Sequence, residues 1–302
     1  MESAPTHSPS GPDGRPTALV TGSNGGLGLA LAKQLAADGW RVLLHGRDPD
    51  KLARARATLA VDGPHAAFRG DLSTPDGARD LARRVAEAAG RLDVLIHNAG
   101  TLQPERRMTE GGVELTMALN ALAPFVLTEA LHPLLLRTAE TYGGARVVTV
   151  SSEAQSRRFS SATPDALAET FRYADGRYSP IKAYGRSKLA ATVWTLELAR
   201  RLDGTGVTAN ACHPGVVRTG IFMGLGGLSG LFAQLFSLLY LPPSVGARCP
   251  FVLATAPEYG ERTGRWLTRS HVRRPHEADP PAAARAPTVG AAVWDALSRL
   301  AG

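Results

Sequence analysis

The chain has 302 residues, 44% hydrophobic and 20% charged, which is ample for a buried core and excludes a disordered chain. Its formal charge is +7, but only Lys33, Lys51, Lys182 and Lys188 are lysines, which leaves 30 of the 34 basic residues as arginines. Those arginines are scattered (Arg41, Arg69, Arg91, Arg146, Arg248) without a stripe of interleaved aromatics, so nucleic acid is not expected as a partner.

Residues 1–16 are rich in Ser, Pro and Gly, lack an apolar leader-like stretch, and read as a flexible tail before a single domain over 17–302. A cytoplasmic location is expected. Strands are predicted over Thr17–Thr21, Arg41–His45, Ala66–Gly70, Leu92–His97, Arg146–Val150 and Val207–Cys212, most of them apolar on both faces. Helical periodicity runs over Leu27–Asp38, Asp50–Leu59, Asp76–Ala89, Gly112–Leu136 and Ala183–Leu202. This alternation predicts an α/β fold with an open, doubly wound parallel sheet and helices on both faces. Arg273–Pro287 reads as irregular. Val289–Leu300 reads as a last amphipathic helix, with Val293, Leu297 and Leu300 inward and Trp294 as packing. Cys212 and Cys249 have neither a metal-knuckle nor a CxxC spacing and read as reduced, buried thiols; no metal is expected.

In a doubly wound sheet, ligands bind beyond the carboxyl ends of the strands, and the chemistry-bearing motifs collect there. After the first strand comes Thr21-Gly22-Ser23-Asn24-Gly25-Gly26-Leu27-Gly28. Its glycines allow a tight turn, close approach to a pyrophosphate and a helix N-terminus facing the phosphates. The second strand ends in Gly46 and Arg47; Gly46 leaves room, and the planar charged fork of Arg47 suits the 2′-phosphate of NADP better than the bare ribose of NAD. Asp71, followed by Leu72, is a candidate for an adenine amine or for capping the next helix. Asn98, Ala99 and Gly100 are placed to let the chain pass close to a cofactor.

Ser151 and Ser152 follow the fifth strand, then Tyr184 and Lys188 at i,i+4 on one helix face. A phenol is a poor base at neutral pH, and a neighbouring ammonium lowers its pKa, an arrangement suited to proton transfer. Pro214, Gly215, Val217 and Thr219 after the sixth strand offer backbone and a hydroxyl to a carboxamide.

With these motifs in this order, together with Asn120, the chain from about Thr17 to Leu267 resembles the short-chain dehydrogenase/reductase superfamily. The resemblance implies a Rossmann-type single domain. It implies that Tyr184 is the general acid or base, that Ser152 rather than Ser151 polarises the substrate oxygen, that Lys188 binds the nicotinamide ribose, and that Asn120 holds a water. Two departures stand out. His97 replaces the asparagine of many members and reads as a backbone or packing residue. The segment between Ser152 and Tyr184 is much longer than in many members, so 153–182 reads as an insertion, either a surface excursion or a substrate element. That insertion, with Arg47, Pro243–Ala247 and Gly264–Trp266, resembles the retinol-dehydrogenase and WW-domain-oxidoreductase-like branch, which implies NADP and bulky lipophilic carbonyls.

Residues 219–247 carry no charge, and by family position they read as an apolar substrate lid. Leu228, Leu231, Leu235, Leu238 and Leu239 at helical spacing leave open a weak membrane-surface contact through 221–241. The resemblance also leaves open a homodimer through the helices holding Asn120 and Tyr184. The expected activity is NADP(H)-dependent interconversion of a hydrophobic ketone or aldehyde and its alcohol. The alternatives are a non-redox dehydration, epimerisation or rearrangement, or a nucleotide-binding scaffold without turnover.

Overall fold

Alternate residues of each central strand feed two separate cores. Leu19, Leu43, Leu95 and Val147 pack on one face of the sheet, while Val20, Leu44, Ile96 and Val148 pack on the other. Strands with no polar face need cover on both sides, and helices supply it. The computed structural model describes residues 14–59, 63–155, 159, 163–173, 176–217, 241–269 and 274–302.

Within these residues, β1 (Thr17–Val20), β2 (Arg41–Gly46), β3 (Ala66–Arg69), β4 (Val94–His97), β5 (Ala145–Val150), β6 (Val207–Cys212), β7 (Trp266–Thr268) and β8 (His276–Glu277) form one sheet. Their order is β3-β2-β1-β4-β5-β6-β7-β8. The first seven strands are parallel, and β8 pairs antiparallel with β7. The strand order reverses between β1 and β4, which places the crevice of the fold beside the glycine-rich turn.

Helices α1 (Gly26–Ala37), α2 (Pro49–Ala57) and α3 (Pro75–Ala89) follow the first three strands. The long helix α4 (Leu115–Tyr142) carries a π-helical turn at Ala118–Leu122 and runs six residues beyond its predicted end, to a left-handed Gly143. It is the one described helix long and apolar enough to cross a membrane, and it is mostly buried: Leu127 and Leu131 are wholly inside.

The insertion contains a helix that the periodicity did not reveal, α5 (Pro164–Arg172), capped by Thr163 and closed by Tyr173 in a left-handed conformation. It buries Leu167 and Phe171 completely, which makes it part of the core rather than a surface excursion. Next come α6 (Pro180–Arg201), α7 (Arg248–Thr255) and the C-terminal α8 (Pro287–Ala301). Helices α5 and α8 pack together, and α8 also lies along α6. Trp294 packs edge-on to Phe125 at 4.9 Å, with the Arg201 guanidinium 4.2 Å above it. Val293 and Leu297 are fully buried and Leu300 partly so. The segment expected to be irregular contains β8 and a helical turn at Ala282–Arg285. Cys212 and Cys249 are free, buried and adjacent to each other.

Candidate active site

At the carboxyl ends of β1, β2, β4, β5 and β6 the structure opens a cavity of about 900 Å³. One part of its wall is the turn from Gly22 through Asn24 to Gly28. Gly22 and Gly26 take positive φ, and a Cβ on Gly28 would sit 2.4 Å from the Gly22 carbonyl oxygen. Helices α2, α3, α5 and α6 are each capped at the N-terminus by a side chain, from Asp48, Thr74, Thr163 and Ser179 respectively. Helix α1 has no side-chain cap and no acidic residue in its first turn, and this bare N-terminus faces the cavity. Unsatisfied N–H groups at a positive helix end suit a phosphate.

Three sequence expectations change here. Ser23 is buried, with its hydroxyl turned inward to accept from the His45 backbone N–H at 2.9 Å, and it does not line the cavity. The space above Gly46 is filled by the Asn24 side chain: a Cβ there would lie 2.9 Å from Asn24 Cγ, so Gly46 makes room for that side chain while itself lining the cavity. Asp71 is exposed and outside the cavity wall; its carboxylate accepts from Ser73 N–H at 3.0 Å in a local turn, while Thr74 caps α3. Neighbouring Leu72 does line the cavity. Arg47 lies at the rim beside Lys51, exposed, with no ion-pair partner among the described residues.

Across the cavity, the β4 end is tied to β1. Thr21 Oγ1 accepts from the N–H groups of Asn98 and Ala99, both at 3.0 Å, and Asn98 Nδ2 donates to the Thr21 carbonyl at 2.9 Å. Gly100 passes so close to α4 that a Cβ would sit 2.9 Å from Asn120 Oδ1. His97 points away, into the core, where Nε2 donates to Thr128 Oγ1 at 2.7 Å and the ring meets Trp194 edge-on. Burial pushes its pKa down to about 3, as fits a packing residue.

The inner end of the cavity holds Ser152, Tyr184 and Lys188. Ser151 and Ser152 diverge. Ser151 donates to the Lys188 carbonyl at 2.9 Å, whereas the Ser152 hydroxyl meets the Tyr184 phenol. Burial pushes Tyr184 up to about 12, and the Ser152 bond works against that rise. Lys188 lies on the same face of α6, its Nζ 5.8 Å from the Tyr184 ring centroid and donating to the Val150 carbonyl at 2.9 Å. Burial holds Lys188 down at about 8. Burial of the phenol therefore dominates, and the lowering expected from this lysine does not appear.

Asn120 sits in the π-helical turn, which rotates it out of the regular α4 ladder. Its amide accepts from Thr101 N–H at 2.7 Å and donates to the Thr101 carbonyl and to Ser187 Oγ, both at 2.9 Å. The side chain thus joins the β4 loop to α6 from behind the cavity wall rather than lining it.

Pro214, Gly215 and Val217 line the remaining side; Arg157, Arg158 and residues 219–240 of the lid, Thr219 included, lie outside the described residues. Sequence reasoning missed two neighbours of these motifs. Glu153, directly after Ser152, accepts from Thr268 Oγ1 at 2.5 Å and faces His213 Nε2 at 3.8 Å. Burial lowers the His213 pKa, and Glu153 partly offsets this. Of the described residues of the insertion, Glu153 and Ala154 reach the cavity wall. Tyr178 anchors the rest, its hydroxyl on the Gln103 carbonyl at 3.0 Å and on Glu114 at 3.2 Å.

A family model for short chain dehydrogenase matches residues 16–164. Over 271 residues the chain is 34% identical to retinol dehydrogenase 14 of Homo sapiens, an alignment covering 83% of this chain and 77% of the relative. The chain belongs to the short-chain dehydrogenase/reductase family. It lies on the retinol-dehydrogenase-like branch and is an oxidoreductase of this type. This short-chain dehydrogenase/reductase is also 34% identical over 292 residues to dehydrogenase/reductase SDR family member 13 of Bos taurus, covering 95% of this chain and 73% of that one. Among solved structures, an uncharacterized protein from Mycobacterium Paratuberculosis superposes with a TM-score of 0.74 at 28% identity, covering 95% and 93% of the two chains. A Pseudomonas aeruginosa RhlG/NADP active-site complex superposes with a TM-score of 0.64 at 28% identity, covering 85% and 95%.

Proposed function

We propose that this enzyme uses NADP(H) to interconvert a hydrophobic ketone or aldehyde and its alcohol. The observation that carries the reading is the meeting of Ser152, Tyr184 and Lys188 in one cavity with the bare α1 N-terminus and Arg47, which has no ion-pair partner among the described residues. The cavity suits a dinucleotide on its own terms: the uncapped helix end fits a pyrophosphate, and Arg47 beside Lys51 fits a further phosphate. Lys188 and the backbone of Asn98–Gly100 and Pro214–Val217 would hold the ribose and carboxamide end. A bound nicotinamide supplies the hydride for reduction, or accepts it in oxidation.

The protein's own residues manage the proton and the charge. Tyr184, protonated at neutral pH, donates to the carbonyl oxygen as that oxygen gains negative charge. Ser152, whose single hydroxyl proton is directed at the phenol in the free protein, turns it to the same oxygen when substrate is bound and holds that oxygen in place. In the reverse direction the phenolate accepts the alcohol proton, and Lys188, in its charged form, favours that state. The lipophilic substrate class rests on the apolar composition of 219–247 and on relatives named as retinol dehydrogenases.

Thermal unfolding with saturating NADPH, saturating NADH or neither tests the cofactor. A ligand at a hundredfold excess over its Kd adds about 2.7 kcal/mol of stability. The expected result is a clearly larger rise in Tm with NADPH than with NADH. An equal rise would remove the NADP preference, and no rise with either would remove the dinucleotide.

A further inference from the structure

The glycine-rich turn is held from below by a residue outside every motif named above. His45, near the end of β2, is almost fully buried, and both ring nitrogens are engaged. The Gly22 N–H donates to Nδ1 at 3.2 Å, and Nε2 stands 3.2 Å from the Gly70 carbonyl oxygen. A carbonyl can only accept, so the ring proton is on Nε2 and the Nδ1 lone pair is free for Gly22. Burial pushes the His45 pKa down to about 4, against the Gly70 bond, which keeps the ring neutral and Nδ1 an acceptor at neutral pH. Gly70 is a glycine for a matching reason: a Cβ there would stand 3.3 Å from Nε2.

The backbone of His45 treats the next residue the same way. Its carbonyl accepts from Ser23 N–H at 2.9 Å, and its N–H donates to Ser23 Oγ at 2.9 Å. One residue of β2 therefore takes up the N–H groups of Gly22 and Ser23, and the chain from Asn24 onward turns to the cavity. Gly22 is held at a φ of 65°, where glycine has wide freedom, so the imidazole acceptor sets the orientation of its peptide.

We propose that His45 is a positioning residue for nucleotide binding: its Nδ1 acceptor fixes the start of the glycine-rich turn, so that a phosphate meets N–H groups already aligned. The inference rests on the dinucleotide reading above. It does not require His45 to touch the ligand.

Two variants separate the ring nitrogens. In His45→Asn the amide oxygen reaches roughly the place of Nδ1, while in His45→Gln the amide reaches roughly the place of Nε2. Fluorescence titration with NADPH is expected to give a Kd within about twofold of wild type for His45→Asn and about tenfold weaker for His45→Gln. The turnover rate at saturating NADPH is unchanged in both. In protein without nucleotide, hydrogen exchange at the Gly22 amide stays slow in His45→Asn and becomes fast in His45→Gln. The wild-type imidazole ¹⁵N spectrum shows the Nε2–H tautomer at neutral pH, and an Nδ1–H tautomer would overturn the proposal without any variant. Normal wild-type binding with the same Kd in both variants overturns the role of His45 alone. Wild-type protein that binds neither NADPH nor NADH overturns the dinucleotide reading, and this role with it.

Discussion

Tyr184→Phe is expected to lower turnover by about 10³-fold while leaving the Kd for NADPH within about twofold of wild type. The substitution removes one oxygen from a side chain that is only 5% exposed, so packing is retained and the loss reports the proton. The phenol meets the Ser152 hydroxyl, and phenylalanine leaves that hydroxyl free to bond to water. The same account gives a pH dependence with a definite sign. Carbonyl reduction needs the protonated phenol, and with its pKa pushed up to about 12 this form persists through neutral and alkaline pH. Reduction rates at saturating cofactor are therefore nearly flat, whereas alcohol oxidation, which needs the phenolate, rises with pH. Initial rates in both directions across pH check this. A reduction limb that collapses near neutrality would assign the proton to another group.

Arg47→Asp is expected to lower the ratio of NADPH to NADH efficiency by about a hundredfold, through loss of a charge-assisted contact and gain of like-charge repulsion. Arg47 has no carboxylate partner among the described residues, and its neighbour Asp48 is occupied in capping α2, accepting from the N–H groups of Asp50 and Lys51 at 3.0 Å. Lys51 retains some positive charge at the rim, so residual NADPH use is expected. kcat/KM for each nucleotide with one fixed carbonyl substrate measures the ratio. An unchanged ratio would place the 2′-phosphate elsewhere.

The sheet was legible because its strands are apolar on both faces and its motifs fall at strand ends, two features that survive without tertiary information. β7 and β8 were not, since three and two residues carry no usable period and their pairing depends on β6 being already in place. Helix α5 escaped notice inside an insertion with no strand beside it; its apolar stripe gains meaning only against α8. In the site, helix spacing puts Tyr184 and Lys188 on one face and the strand end brings up Ser151 and Ser152, while the choice of Ser152 came from the family resemblance. The local turn of the Asp71 carboxylate and the packing of Asn24 over Gly46 could not be read, because a sequence does not say whether a carboxylate turns to its own backbone or which side chain fills the space over a glycine. His45 was invisible for a similar reason: its role depends on Gly22 and Gly70, which lie on different strand ends.

The most direct test of the account is a stoichiometry. The protein is incubated with NADPH and an apolar ketone or aldehyde, and nicotinamide absorbance and alcohol product are followed together. The account predicts one NADPH oxidised for each alcohol formed, with neither change in Tyr184→Phe. Substrate transformed while NADPH remains intact would contradict it and favour the non-redox chemistry that the same fold can carry.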